Sequence, residues 1–403
     1  MSLNTLKKQQ VYKDPLYGFI HVDDALIKDL IDSAPFQRLR RIRQLSGVHM
    51  VFHGAEHSRF SHSLGVYEIA YRFSNAPDLK QEFTERERLI LLVSALLHDI
   101  GHGAYSHAFE DVFGIDHEAV GARIIKENPE LLRILNRVDD GFAFDVASVL
   151  LKEGKYPLIE QLISSQLDAD RLDYLERDAY FTGAAYGRID ADRIIRVARI
   201  KDGRLVFKVS GIHAIENYLI SRYHMYWQVY FHPVSRAYEL TLEKIYQRVR
   251  DLLVSGVLFS NGNLDLLKRM IAHPDDLDDF MALDDYYMNG LIAGFRASDD
   301  EILRNLARDF LDRKIWGHLR DDPENQDEIA RIKASFQPEE QPYYTGYRTV
   351  ENSTYRDDGL TFGEKIYLLL EDGSVSTITE RSAIIDSLRA SGAKRDPRFF
   401  YRK

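Results

Sequence analysis

Eight of the fourteen histidines fall between His49 and His117, about a sixth of the 403-residue chain. Imidazoles packed this densely among carboxylates can hold a metal ion or move protons near neutral pH. The strings are His57-Ser58-Arg59-Phe60-Ser61-His62, then His98-Asp99-Ile100-Gly101-His102-Gly103 with His107, then Asp116-His117-Glu118. A lone histidine against an apolar helix is ordinarily a hydrogen-bonded structural residue, but that explanation weakens when it must serve for the whole segment. The chain has no cysteine, so a metal site must use His and carboxylate. Disulfides, thiolate zinc sites, iron–sulfur clusters and cysteine nucleophiles are excluded. His98-Asp99 closes an apolar segment, and a buried carboxylate at a helix C-terminus is repelled by the carbonyl end of the dipole unless a cation compensates. A divalent metal would do so. Gly101 and Gly103 would let the chain leave the helix sharply and return His102 and His107 over the same pocket. One His-Asp pair cannot close a metal site. Further ligands are sought at His62 and in the run Asp168 to Asp178, where Asp170, Tyr174 and Asp178 repeat every four residues along one helix face amid Leu167, Ala169, Leu172 and Leu175.

These residues need a scaffold, and the hydrophobic period over most of the first 270 residues is helical. Thr84 to Asp99 opens on a Thr84 cap with Glu85 and Glu87 in the first turn. It is then apolar nearly all round through Leu89, Leu92 and Leu96, which places it centrally. His62 to Ser74 is helical by Val66, Ile69, Ala70 and Phe73, and Asp116 caps a helix through Ala119, Ile124 and Ile125. Pro157 to Ala179 reads as one long helix, and Tyr218 to Ser255 as one or two, interrupted at Pro233. Two short hairpins are expected, Arg199 to Val209 around Asp202-Gly203, and Lys365 to Leu370 with Ser374 to Thr379. The fold class is therefore mainly α, with short β-hairpins. A charged, proline-bearing stretch from Pro323 to Gln341 marks a boundary between a body at 1–325, its metal core at about 50–180, and a small α+β C-terminal region at 326–403. With 45% hydrophobic residues the chain can bury a real core. Sixty-three acidic against fifty-three basic side chains give a net charge of −10, which disfavours stable nucleic-acid binding. The longest apolar stretches are too short to span a bilayer and the start is polar, so the expectation is a cytoplasmic protein without membrane contact.

The order His62, His98-Asp99, Asp170 resembles the H…HD…D signature of the HD-domain phosphohydrolases. The likeness extends through Asp14-Pro15, Phe36-Gln37-Arg38-Leu39-Arg40, Phe52-His53-Gly54-Ala55, His57 to Val66, Leu97 to Gly103 with Ser106-His107, Asp168 to Asp178, Ser164 to Arg171 and Asp178 to Gly183. Together these are similar to the deoxynucleoside triphosphate (dNTP) triphosphohydrolase branch, which includes bacterial homotetramers and the mammalian HD-domain restriction factor. That resemblance implies an HD-domain helical bundle and hydrolysis to a deoxynucleoside and inorganic triphosphate. It implies that His62, His98, Asp99 and Asp170 hold a divalent Mg, Mn, Fe, Ni or Zn ion. His107 would be the acid catalyst with Glu110 as the carboxylate orienting it; the mammalian relative has Asp there. His117 would meet the α-phosphate and His102 would line the same site. Arg59 and Arg171 would bind phosphates, while Tyr174, Asp178, Gln44 and Leu45 would hold the sugar, Tyr174 standing where a ribose 2′-hydroxyl would protrude.

The resemblance also implies a regulatory nucleotide, dGTP or GTP, read by Asp32, Gln37 and Arg40 between subunits of a homotetramer. A carboxylate accepting from guanine N1 and N2 beside an arginine donating to O6 is a sound pairing. The same segment also reads as a solvated arginine-rich face, since Arg38, Arg40, Arg41 and Arg43 could all meet water. Arg193, Arg196 and Arg199 form a second basic stripe. Two other functions stay open at this point: a different HD phosphohydrolase acting on nucleoside monophosphates or signalling nucleotides, and a catalytically silent oligomer that senses nucleotides.

Overall fold

A computed structural model describes residues 5–106, 109–110, 113–256, 264–352, 355 and 365–403. It is predominantly helical, as expected. The centre is α4 (Glu85–Leu97), where Thr84 and Glu87 form a reciprocal capping box and every residue from Leu89 to Leu97 is buried. Against it pack α3 (Arg59–Asn75), α7 (Phe142–Leu150) and α8 (Pro157–Ile163), with α9 (Ala169–Thr182) against α3. Ahead of them come α1 (Ala25–Asp32) and α2 (Ala34–Arg38); between them lie α5 (His117–Glu127), capped by Asp116, and α6 (Pro129–Leu135). After α10 (Ala191–Val197), α11 (Ile212–Met225) runs into a π-helical turn at Tyr226–Tyr230, and α12 (Pro233–Val254) restarts at the proline.

Pro157 to Ala179 is two helices, not one. The Asp168 carboxylate accepts from the backbone N–H of Ser165 at 2.6 Å and of Arg171 at 2.7 Å, and Ser165 Oγ accepts from the N–H of Leu167. These local bonds out-compete the helical ladder over 164–168 and restart α9 with Asp168 as its cap. The restart sets the angle at which Asp170 faces α3.

Both expected hairpins form. β3 (Ala198–Lys201) pairs with β4 (Arg204–Lys208), and β7 (Tyr367–Leu369) with β8 (Val375–Thr377). They join through a parallel β4·β7 contact, Phe207 opposite Leu368, into one four-stranded sheet that crosses the 325/326 position. β6 (Thr345–Asn352) and β5 (Gly317–Arg320) flank β9 (Lys394–Tyr401) in a second sheet. An N-terminal hairpin, β1 (Thr5–Asp14) with β2 (Gly18–Asp24), was not anticipated.

The arginine-rich face is only partly solvated. Arg38 is 2% exposed and donates to the carbonyls of His102 (2.8 Å) and Leu283 (3.0 Å), while Arg41 pairs with Asp284 and Arg43 with Glu56. Arg38 is thus a tie between α2, the His98–His102 turn and the segment at Leu283. Its burial is tolerated because carbonyls satisfy the guanidinium.

Candidate functional site

α3 and α4 bring His62 and His98 together, and α9 adds Asp170. His62 Nε2 lies 3.3 Å from His98 Nε2, 3.0 Å from Asp170 Oδ1 and 3.7 Å from Asp99 Oδ2. His98 Nε2 is 3.3 Å from Asp99 Oδ1 and 3.8 Å from Asp170 Oδ1. Bonds of about 2.0–2.2 Å to a common ion would separate adjacent donors by about 2.8–3.6 Å in octahedral or tetrahedral geometry. These five spacings lie in or just beyond that range, and His62, His98 and Asp99 form the tightest group.

The other nitrogen of each imidazole is already engaged, which fixes which nitrogen is left for a metal. His98 Nδ1 meets the Ala95 carbonyl at 2.9 Å, and His62 Nδ1 meets Asp173 Oδ2 at 2.8 Å. Both arrangements leave Nε2 as the ring atom directed at the shared point. Electrostatics agree. Burial alone would strip a proton from His62, but hydrogen bonds to Asp170 and Asp173 and the charge of Asp99 push it up to about 10. A pocket that attracts a proton this strongly attracts a cation for the same reason. Burial works to raise the Asp99 carboxyl, yet Arg59, His98 and His102 hold it well below the usual carboxylate range. The cation that meets Asp99 at the helix end is thus partly Arg59, whose Nη1 donates to Asp99 Oδ2 at 2.6 Å.

A second His/carboxylate group sits on the other side of Asp99. His102 Nε2 is 3.2 Å from Asp99 Oδ1 and its Nδ1 is 2.8 Å from Glu110 Oε1; Glu110 Oε2 is 3.2 Å from His117 Nδ1. The two rings stack at 4.0 Å and 16°. Imidazole lone pairs lie in the ring plane, so two face-to-face rings cannot both aim at one ion between them. In this arrangement the Glu110 carboxylate lies against both imidazoles. Burial and nearby Arg59 push His102 down to about 4, leaving it neutral, whereas Glu110 raises His117 against the cost of burial. Glu110, expected to orient His107, thus engages His102 and His117; His107 itself lies outside the described residues.

Gly101 and Gly103 do not turn the chain left-handed. A Cβ on Gly101 would lie 2.1 Å from the His117 carbonyl and 2.4 Å from the Gly121 nitrogen, so this glycine lets α5 approach the site. Gly103 similarly accommodates the Phe109 ring.

Both clusters open into a cavity of about 530 Å³. Its walls include the expected sugar and phosphate residues Gln44, Leu45, Arg59, Arg171, Tyr174 and Asp178. Arg171 is held by Asp168, and Arg59 by Asp99 and Ser106. Gln44 Oε1 is buried without a hydrogen-bond partner among the described residues, an acceptor available to a ligand. Asp32, Gln37 and Arg40 lie elsewhere, near the surface around α2. Arg40 Nε donates to Gln37 Oε1 at 2.8 Å and stacks on Phe60, while Asp32 pairs with Lys28.

Three supports escaped the sequence reading. Asp173 is fully buried; besides His62 it accepts from Arg177 at 2.8 and 2.9 Å and from Tyr17 Oη at 2.7 Å, and Arg177 also binds Asp14. The N-terminal hairpin end therefore buttresses a candidate ligand. The signal was Gly65 inside α3: a Cβ there would fall 1.8 Å from Asp173 Oδ1. A helix-interior glycine costs about 1 kcal/mol, which implies close packing. His57 and Tyr230 hold the two oxygens of Asp178 at 2.8 and 2.7 Å.

The HD domain model matches residues 59–178, and the HD associated region model matches 189–338. An uncharacterized protein, YwfO, of Bacillus subtilis is 40% identical over 99% of this chain and 93% of its own length. The deoxynucleoside triphosphate triphosphohydrolase SAMHD1 homolog of Dictyostelium discoideum is 29% identical over 66% of this chain, which spans 55% of that protein. The crystal structure of a phosphohydrolase from Bacteroides thetaiotaomicron superposes with a TM-score of 0.86 at 29% identity, covering 98% of this chain and all of that one. Among the described residues no helix is long and apolar enough to cross a membrane. With the matched signature residues gathered at one cavity, the chain belongs to the HD-domain phosphohydrolase family, a group that includes proteins named deoxynucleoside triphosphate triphosphohydrolase.

Proposed function

We propose that this protein is a metal-dependent dNTP triphosphohydrolase that releases a deoxynucleoside and inorganic triphosphate. The observation that carries the reading is one cavity lined by the His62, His98 and Asp99 cluster, with Asp170 3.0 Å from His62, and by two arginines and an aromatic wall. His62, His98, Asp99 and Asp170 would hold the ion, which when bound supplies a water of lowered pKa and neutralises phosphate charge. Arg59, fixed by Ser106 and Asp99, presents the rest of its fork to the phosphates, with Arg171 as the second cation. His117 carries a proton toward the α-phosphate, His102 stays neutral beside it, and Glu110 holds both. His107 is the proposed donor to the leaving O5′. Tyr174 crowds the 2′ position, and Asp178, with Gln44 and Leu45, receives the sugar.

Regulation by a guanine nucleotide at Asp32, Gln37 and Arg40, in a cytoplasmic homotetramer, belongs to the same proposal. Support comes from the exposure of Asp32 and Arg40 and from the Arg40 Nε bond to Gln37 Oε1 at 2.8 Å. The body at 1–325 would carry both sites. The test is chromatography of products after incubation with all four dNTPs and Mn or Mg, with and without dGTP. Deoxynucleoside plus intact triphosphate is expected, faster with dGTP. Orthophosphate or pyrophosphate as the primary product, or no product, overturns the activity; an unchanged rate with dGTP overturns the regulation.

A further inference from the structure

The proposed function needs cations for three phosphates, and both arginines named for them already hold carboxylates, Asp99 and Asp168. A third cation stands at the cavity rim. Lys152 and Glu118 both line the cavity and pair at 2.6 Å, with side chains 43% and 39% exposed. Glu118 is the second residue of α5, beside His117, and Lys152 follows the end of α7, so the pair bridges the ends of two helices.

The backbone at Lys152 is unusual. The N–H of Lys152 bonds the Val149 carbonyl at 3.2 Å and that of Glu153 bonds Ser148 at 3.1 Å, with Lys152 at φ +55°. This crossed pair closes a helix on a left-handed residue, a place where glycine is favoured because a Cβ is strained. A lysine there is conformationally costly, yet it delivers an ammonium to the rim of the site. Strain of this kind at a cavity suggests a functional group held in place.

We propose that Lys152 is a specificity residue for polyphosphate. It exchanges Glu118 for the distal phosphate of the substrate, so Glu118 acts as a competing internal anion that sets affinity for the chain length of the phosphate. This rests on the triphosphohydrolase reading, and the test separates the two. Inorganic tripolyphosphate and orthophosphate are titrated calorimetrically, at fixed Mg²⁺, into the full chain and into Lys152→Gln, Lys152→Gly and Glu118→Gln.

Lys152→Gln and Lys152→Gly should weaken tripolyphosphate about 5- to 30-fold, and Glu118→Gln should tighten it about 2- to 5-fold, with orthophosphate changing less than about 2-fold. Lys152→Gly should melt at an unchanged or higher temperature, since it removes the left-handed strain. A pair that only braces the fold predicts instead that every variant moves in one direction and melts lower. That pattern, equal affinities throughout, or no tripolyphosphate binding by the parent chain overturns the proposal. dNTP turnover by the parent chain is scored independently. Absent turnover with opposite binding responses sinks the triphosphohydrolase reading and keeps Lys152; turnover with unchanged binding in the Lys152 variants does the reverse.

Discussion

His62 and His98 meet at 80° with ring centroids 5.1 Å apart, whereas His102 and His117 lie face to face at 16° and 4.0 Å. The two pairs are made from the same residue type, flank the same Asp99, and open into the same cavity. The difference is orientation. Crossed rings turn their Nε2 atoms toward one spot and suit a metal. Stacked rings aim poorly at a common ion, and here each turns an Nδ1 edge to Glu110. Composition is therefore a poor guide to which chemistry a histidine serves; the angle its backbone imposes decides it.

The strongest way to break this distinction is to remove a proposed ligand from the cluster around the crossed pair. His98→Ala or Asp170→Ala should lose bound metal and at least about 10³-fold in turnover with an unchanged circular dichroism spectrum, read by elemental analysis and product release. Full metal content in either variant would defeat the assignment. Next comes Asp173→Asn, which leaves all four donors in place but loosens His62. Metal affinity should fall about 10- to 100-fold by chelator competition, and unchanged affinity would show that His62 needs no orienting partner.

The stacked pair should respond in the opposite manner. Glu110→Gln should keep its metal yet lose about 10²-fold in kcat. Glu110 raises His117, so the proton on His117 persists above its ordinary pKa and is lost as pH rises through the raised value. Removing that charge should move the alkaline limb of the kcat profile to lower pH. A limb that stays put would take His117 out of the chemistry. The linked stability follows the same sign: present below the ordinary histidine pKa, lost as pH climbs past the raised one.

The smallest effect is expected outside both clusters. Glu176, on α9 together with Asp170, is pushed up to about 7 by burial and by Asp173 and Asp192. Its penalty is absent below about pH 4.3 and grows until about pH 7. Glu176→Gln should therefore raise stability by on the order of 1 kcal/mol at pH 8 and leave it unchanged at pH 4 in thermal melts. A gain at both values would show a packing effect rather than a charge effect.

Much of this was readable in advance where the signal is local. The Thr84 cap, the apolar run of α4 from Leu89 to Leu97, the Asp116 cap and both late hairpins follow from spacing and turn chemistry alone. What was missed depends on contacts distant in the chain. The β1–β2 hairpin has a polar, lysine-bearing first strand with little alternation, so its role emerges only when Tyr17 and Asp14 reach Asp173 and Arg177. The break at 164–168 was missed because Asp168 caps with its side chain, which period counting does not see. Arg38 looked solvated because three of its neighbours in the run are arginines; its carbonyl partners lie more than 60 residues away.

The amino-acid sequence by itself determined the types and order of the candidate ligands and the helical scaffold, because imidazole and carboxylate chemistry, caps and hydrophobic period are properties of short segments. Only the tertiary structure decided which histidines converge and which stack, which nitrogen each one has left, and which arginines are already committed. Those outcomes depend on the relative placement of α3, α4, α5 and α9, and long-range packing sets that placement.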